Sequence, residues 1–131
     1  MISLDTNILA RYLLLDDHAQ ARSAEKLLSS KAEFWVAATV WLELAWVLQV
    51  YGCSEKDIAS GMRHILSLRG FEASATTEFL RALEWYESGA DFGDAIHLSQ
   101  SLNSDEFVTF DQALAKQSPK LTAAPSVRRL K

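Results

Sequence analysis

The sequence contains a single cysteine, only two prolines and no long apolar run. Because Cys53 has no second cysteine to pair with, we expect no internal disulfide bond and no thiolate metal cluster. Pro119 and Pro125 both lie late in the chain, and no repeat or linker precedes them. No apolar stretch approaches the roughly 20 residues of a membrane-spanning helix, and the first residues do not resemble a cleavable leader. These absences predict one cytoplasmic domain over residues 1–131 that does not enter a membrane.

Acidic residues are absent after Asp111, although the whole chain has a net charge of −4. This last segment carries five of the thirteen basic residues, namely Lys116, Lys120, Arg128, Arg129 and Lys131. The overall negative charge argues against a nucleic-acid partner, whereas the basic segment is compatible with phosphate binding or with a plain solvated terminus. Charge alone leaves both interpretations open.

Apolar residues recur at helical spacing over most of the chain, between short segments rich in β-branched and aromatic residues. Strands that alternate with helices need crossover connections and favour a parallel sheet. The pattern therefore predicts an α/β/α sandwich with a short, mainly parallel sheet covered by helices on both faces. Strands are predicted over residues 2–4, in "EFWVAAT" and over 106–110, and helices over 8–15, 18–30, 40–51, 54–68, 77–89 and 92–102 and from 112.

Several carboxylates stand at positions where an unpaired charge is costly. Asp5 follows the first predicted strand and Asp111 follows "EFVTF", so both are expected at the edge of a parallel sheet where ligands bind. Glu43 is the one ionisable residue within 40–50, in a helix that we expect to be enclosed by its neighbours. An ionised carboxylate in such surroundings needs a cation or strong hydrogen bonds.

Asp91 and Asp94 are three residues apart at the start of a predicted helix, which puts them on one face near its positive end. Each aspartate alone is also explained as a helix cap, and Glu43 as half of a buried ion pair. Taken together, oxygen ligands without cysteine favour Mg²⁺ or Mn²⁺ over zinc. Such an ion makes water more acidic and offsets phosphate charge, which suggests phosphodiester hydrolysis.

Four segments, "LDTNIL", "WLELAWVL", "DFGDAIHL" and "VTFD", occur in this order and together resemble the PIN-domain family, in particular the VapC toxins of bacterial type II toxin–antitoxin systems. The resemblance implies a PIN-like α/β/α sandwich and a Mg²⁺- or Mn²⁺-dependent endoribonuclease. It also implies a homodimer, and a VapB-like antitoxin that wraps the toxin and blocks its active site. RNA as the substrate comes from this resemblance and not from composition or spacing.

Carried over by position, the resemblance assigns a catalytic role to a quartet of acids, three of which would hold the metal. The quartet is Asp5, Glu43, Asp94 and Asp111, and the metal ligands are Asp5, Asp94 and Asp111. Asp91 is an additional acid, and Asn7 and Thr109 match polar positions that steady the carboxylates. Arg11, Arg69 and Lys116 are predicted to contact the RNA backbone.

Three alternatives stay open. In a haloacid-dehalogenase-like phosphatase Asp5 would be a covalent nucleophile, but the second aspartate expected two positions on is Asn7. A housekeeping RNA-processing nuclease of the same family would need no antitoxin. A metal-free module that binds RNA or a regulator would show no stabilisation by Mn²⁺.

Tryptophan is frequent for a chain of this length. Trp41, Trp46 and Trp85, with the helix over 54–68, offer more apolar surface than 131 residues easily enclose, which predicts a homodimer contact. Aromatic residues dominate cores as well as interfaces, so a core position is the alternative for each of them.

Overall fold

Five of the helices in this chain begin where an aspartate or serine side chain caps them. The computed structural model describes residues 1–131, with seven helices and four short strands. The helices are α1 (Thr6–Leu14), α2 (His18–Leu28), α3 (Ala38–Val50), α4 (Glu55–Ser67), α5 (Thr77–Glu87), α6 (Phe92–Ser99) and α7 (Gln112–Gln117). The strands are β1 (Ile2–Ser3), β2 (Phe34–Trp35), β3 (Phe107–Thr109) and β4 (Val127–Arg129). Both the helices and the short parallel strands agree with the predicted α/β fold.

Contacts along the chain define two compact units, residues 1–76 and 77–131. In the first unit α1 packs against α2 and α3, α3 contacts α4, and β1 pairs in parallel with β2. Tyr12 of α1 also forms a 2.8 Å hydrogen bond with Nε2 of His64 in α4.

In the second unit α5 packs against α6, and β3 pairs in parallel with β4, which contacts α7. Buried Trp85 of α5 donates from Nε1 to the carbonyl of Thr122 at 2.8 Å, which fixes the loop before β4.

The strands differ from the prediction in length and pairing. Of "EFWVAAT" only Phe34–Trp35 is a strand, because α3 begins already at Ala38. β4 lies in the segment that the sequence indicated only as basic. The expected single sheet takes the form of two separate two-stranded ladders, β1 with β2 and β3 with β4. Asp5 and Asp111 therefore follow strands of different ladders.

The helix α3 has one exposed side, which contradicts the prediction that its neighbours enclose it. Trp46 and Val50 are each 65% exposed, and Glu43 on the same side is also exposed. An exposed carboxylate is solvated by water, so burial does not force Glu43 to find a cation. Trp41 and Trp85 are 1% exposed and belong to the core, so only Trp46 of the three tryptophans offers contact surface.

The free edge of β2 is covered by the loop between α4 and α5. The amide of Phe34 donates to the carbonyl of Gly70 at 2.7 Å. Farther along, the buried Ser74 hydroxyl accepts from the amide of Val36 at 3.0 Å and donates to the carbonyl of Phe34 at 3.1 Å. Residues 70–74 thus provide the hydrogen bonds that a third strand would otherwise provide, and no polar backbone group of β2 on this side is left unpaired.

No helix of the structure has both the length and the apolar character that crossing a membrane requires.

Candidate active site

Three aspartates of the second unit surround the start of α6. Asp91 caps this helix by accepting from the amide of Asp94 at 3.0 Å through Oδ2. Asp111 caps α7 by accepting from the amide of Leu114 at 3.0 Å through Oδ1. The predicted alternative of helix caps is therefore correct for both, but each cap bond uses one carboxylate oxygen and leaves the other for a cation.

The negative charge of Asp94 is disfavoured by its surroundings. Partial burial raises its pKa, the nearby Asp91 and Asp111 carboxylates raise it further, and His97 acts in the opposite direction. Like charges at close range disfavour ionisation of each other, and a bound cation reverses this effect. Asp94 is thus both partly buried and repelled by the two neighbouring carboxylates.

Thr109 was predicted to steady the acids, and it lies two residues before Asp111, at the end of β3. Its hydroxyl accepts a hydrogen bond from the amide of Asp111 at 3.0 Å, so it contacts the backbone of that residue and not the carboxylate. The carbonyl of Thr109 accepts from the amide of Leu130 at 2.8 Å, which continues the β3–β4 ladder. These two hydrogen bonds of Thr109 fix the backbone that leads into Asp111.

The other two acids of the predicted quartet belong to the first unit. Asp5 caps α1 by accepting from the amide of Thr6 at 2.8 Å, and its side chain is exposed. The hydroxyl of Thr6 is buried and has no hydrogen-bond partner. Glu43 lies on the exposed side of α3 described above. Within this unit neither acid forms an ion pair with a basic side chain.

Asn7 and Arg11 line a groove between α1 and α2, with a volume of about 470 Å³ and mostly apolar walls. The Arg11 guanidinium is already engaged by Asp16 at 2.6 Å and lies 6.0 Å from the centre of the Tyr51 ring. These contacts compete with the RNA contact predicted for Arg11. Arg69 and Lys116, the other predicted RNA contacts, are exposed and have no ion pair.

From the sequence, the basic residues of β4 were interpreted only as part of a basic terminus that is compatible with phosphate binding. Arg128 holds the carboxylate of Glu106 through both Nε and Nη2, at 3.0 and 2.8 Å. Arg129 is exposed and pairs in register with Thr109, two residues before Asp111. The signal that could have found it is the run "VRR" after a proline, which was interpreted only as part of a basic terminus.

No three histidine, cysteine, aspartate or glutamate side chains are gathered closely enough to form a ready metal-binding group. The chemistry of Asp91, Asp94 and Asp111 nevertheless fits a divalent cation, because the ligands are oxygens and a cation would offset the partial burial and the neighbouring negative charges that raise the pKa of Asp94. Asp94 and Asp111 are the residues of this unit that would hold it.

The fold is that of an α/β protein, and the charges of Asp91 and Asp111 act on Asp94 at the start of α6. The chain belongs to the PIN domain family, whose pattern matches residues 2–118. This match runs through both units and includes all four acids of the predicted quartet. PIN domains are in general metal-dependent nucleases and typically use divalent metal ions. No curated protein and no solved structure matches the chain.

Proposed function

We propose that the protein is a Mg²⁺- or Mn²⁺-dependent endoribonuclease and acts as the VapC-like toxin of a type II toxin–antitoxin pair. The observation that carries the nuclease proposal is the position of Asp94 at the start of α6, where partial burial and two further carboxylates raise its pKa. This arrangement occurs in a chain of the PIN domain family, and it lies within the matched residues.

The residues of the second unit would bind and orient the substrate in defined ways. Asp94 and Asp111 hold the cation, and the caps on α6 and α7 keep the neighbouring backbone rigid. A bound divalent ion supplies Lewis-acid chemistry, making water more acidic and offsetting phosphate charge. Lys116 and Arg129, both exposed, are placed in the same unit to contact phosphates of the RNA backbone. Asp5 and Glu43 complete the acids on which we propose that activity depends.

The nuclease proposal is tested by replacing two aspartates that both cap helices. Asp5 caps α1 and Asp17 caps α2, and asparagine caps a helix about as well as aspartate. We expect the wild-type chain to cut single-stranded RNA with Mn²⁺ and not with EDTA. Asp5→Asn is expected to lower the cleavage rate by about a hundredfold, the upper range for residues that tune a metal site, while Asp17→Asn leaves it unchanged. Equal activity of both variants would show that Asp5 is only a cap.

Two apolar surfaces of the first unit support the proposed partners. The groove between α1 and α2 has a volume of about 470 Å³ and Ile8 and Leu27 in its wall, which suits the apolar side chains of an antitoxin segment. The exposed side of α3, with Trp46 and Val50, is the apolar surface that we assign to a homodimer contact. Light scattering at micromolar concentration distinguishes the dimer from a monomer.

The toxin proposal predicts growth arrest when the chain is expressed alone in a bacterial host. Co-expression of the protein encoded beside it is expected to restore growth, because the antitoxin would occupy the groove and block the acids. The Asp94→Asn variant serves as the control, and its expression at the same level is expected to be harmless. Normal growth with confirmed expression of the active wild-type chain would favour the housekeeping nuclease instead.

A further inference from the structure

Phe110 is the most exposed aromatic ring of the chain, with 72% of its surface accessible. It stands directly between Thr109, at the end of β3, and Asp111, the cap of α7. The resemblance that indicated the acids gave this residue no role. A single exposed apolar residue needs no explanation by itself, so its surroundings decide whether the ring serves a ligand.

The backbone on both sides of Phe110 is held in place. The carbonyl of Thr109 accepts from the amide of Leu130 at 2.8 Å, and the hydroxyl of Thr109 accepts from the amide of Asp111 at 3.0 Å. On the other side Asp111 is fixed by its 3.0 Å cap bond to the amide of Leu114. The ring therefore projects from a fixed point, one residue from an acid of the candidate active site.

Basic residues in and after β4, the strand that pairs with β3, match a nucleic-acid strand better than a protein partner. Arg129 pairs in register with Thr109, and both it and Lys131 are exposed without an ion pair. Arg128 on the same strand is held by Glu106, and no acid follows Asp111 in the sequence. Single-stranded nucleic acids bind where aromatic rings stack with bases and basic groups contact phosphates. The core of a protein interface is instead depleted of charged residues.

We propose that Phe110 is a stacking platform for an unpaired base of the RNA substrate, close to the cation site that Asp94 and Asp111 would form. This inference rests on the proposed nuclease function and specifies its substrate as single-stranded RNA. A base inside a duplex has both faces covered by its neighbours, so it cannot stack on a protein ring. Arg129 and Lys131 would contact the phosphates that flank the stacked base.

Binding is measured by fluorescence anisotropy with a labelled 12-nucleotide single-stranded RNA of mixed sequence, in the Asp94→Asn background so that the RNA stays intact. Phe110→Ala is expected to weaken binding about tenfold, the size of effect expected for one base–aromatic stack. Phe110→Trp restores binding because it keeps a flat π face, whereas Phe110→Leu keeps only apolar character and stays weak. The matched control is Val108→Ala on the same strand, where Val108 is 42% exposed, and it is expected to change nothing.

Cleavage assays with Asp94 intact separate this inference from the proposed function. Phe110→Ala is expected to raise KM about tenfold with kcat little changed, and to leave binding of a 12-base-pair duplex unaltered. Wild-type cleavage combined with unchanged affinity and KM in Phe110→Ala would overturn the stacking role and leave the nuclease intact. No Mn²⁺-dependent cleavage by the wild type would overturn the nuclease itself. A change in oligomeric state with unchanged RNA affinity would assign Phe110 to a protein contact and reject the platform.

Discussion

Replacing Asp94 with asparagine is expected to lower Mn²⁺-dependent RNA cleavage by roughly a hundredfold or more, because even residues behind metal ligands lower activity by 10- to 100-fold when replaced. The substitution removes a negative charge and leaves the side-chain volume nearly unchanged. Asp105→Asn is a suitable control, since Asp105 is an exposed acid of the same unit with no ion pair. Initial rates with a fluorogenic single-stranded RNA measure the effect, and a rate within threefold of the wild type would remove Asp94 from the site.

Asp94→Asn is also expected to stabilise the metal-free protein at neutral pH. The pKa of Asp94 is raised above its ordinary 3.8 by partial burial and by the nearby Asp91 and Asp111. A carboxyl group whose pKa is higher in the folded state destabilises that state as pH rises through the folded pKa, and this loss is complete at neutral pH.

In EDTA, Asp94→Asn is therefore expected to have a higher melting temperature than the wild type at pH 7. The difference shrinks as pH falls and vanishes below the ordinary pKa of the carboxyl group, where the wild-type residue is neutral in both states. Thermal unfolding of both proteins in EDTA, measured from pH 3.5 to 8, tests this pH dependence. A variant that is less stable than the wild type at pH 7 would show that the charge at this position is structural.

Gly70→Ala is expected to destabilise the first unit by about 4 kcal/mol, from a left-handed backbone and a steric overlap. Gly70 is buried and has φ +96°, a conformation that side chains rarely adopt. A Cβ atom added here would overlap the carbonyl oxygen of Ala32 and lie 3.1 Å from Cδ2 of Phe34. Relieving the overlap requires that Gly70 move away from β2, which breaks its 2.7 Å hydrogen bond with the amide of Phe34.

Gly52→Ala is the matched control for this loss. Gly52 has a similar φ of +87°, but nothing lies within 4 Å of an added Cβ atom. It shares the conformational cost of about 1–2 kcal/mol without the overlap. Urea unfolding monitored by circular dichroism gives both free energies, and equal losses in the two variants would show that contact with β2 contributes nothing.

Helices were the part of the fold that the sequence predicted best, because their signals are local. The helix predicted over 54–68 is α4, which Ser54 caps by accepting from the amide of Asp57 at 3.1 Å. Residues 112–117 form the helix expected after Asp111. β4 has only three residues, and its partner β3 lies about twenty positions earlier, so neither periodicity nor neighbours indicated it. The exposed side of α3 was missed because apolar residues cover all its faces, and the pattern has no polar face to mark the solvent.

For the candidate site, the sequence predicted the identity of the acids but not their local roles. The cap bonds of Asp5, Asp91 and Asp111 follow from their positions just before helices, and this alternative could be weighed from the sequence. The interaction of Asp94 with Asp111 could not be predicted from the sequence, because it depends on how α6 lies relative to the end of β3. Phe110 was visible inside "VTFD", but only its exposure distinguishes a candidate binding surface from a core residue.

The loop over residues 70–74 also affects the tendency of this protein to aggregate. Phe34, Trp35 and Val36 form a β-prone apolar segment, and Gly70 and Ser74 occupy its open edge. An uncovered edge with such side chains is a template for pairing with other chains. Opening of this loop alone, without unfolding of the helices, would therefore be enough to start aggregation. Aggregation of variants in this loop during purification would then reflect an unprotected strand edge. A charged residue in place of the exposed Trp35 is expected to reduce that aggregation.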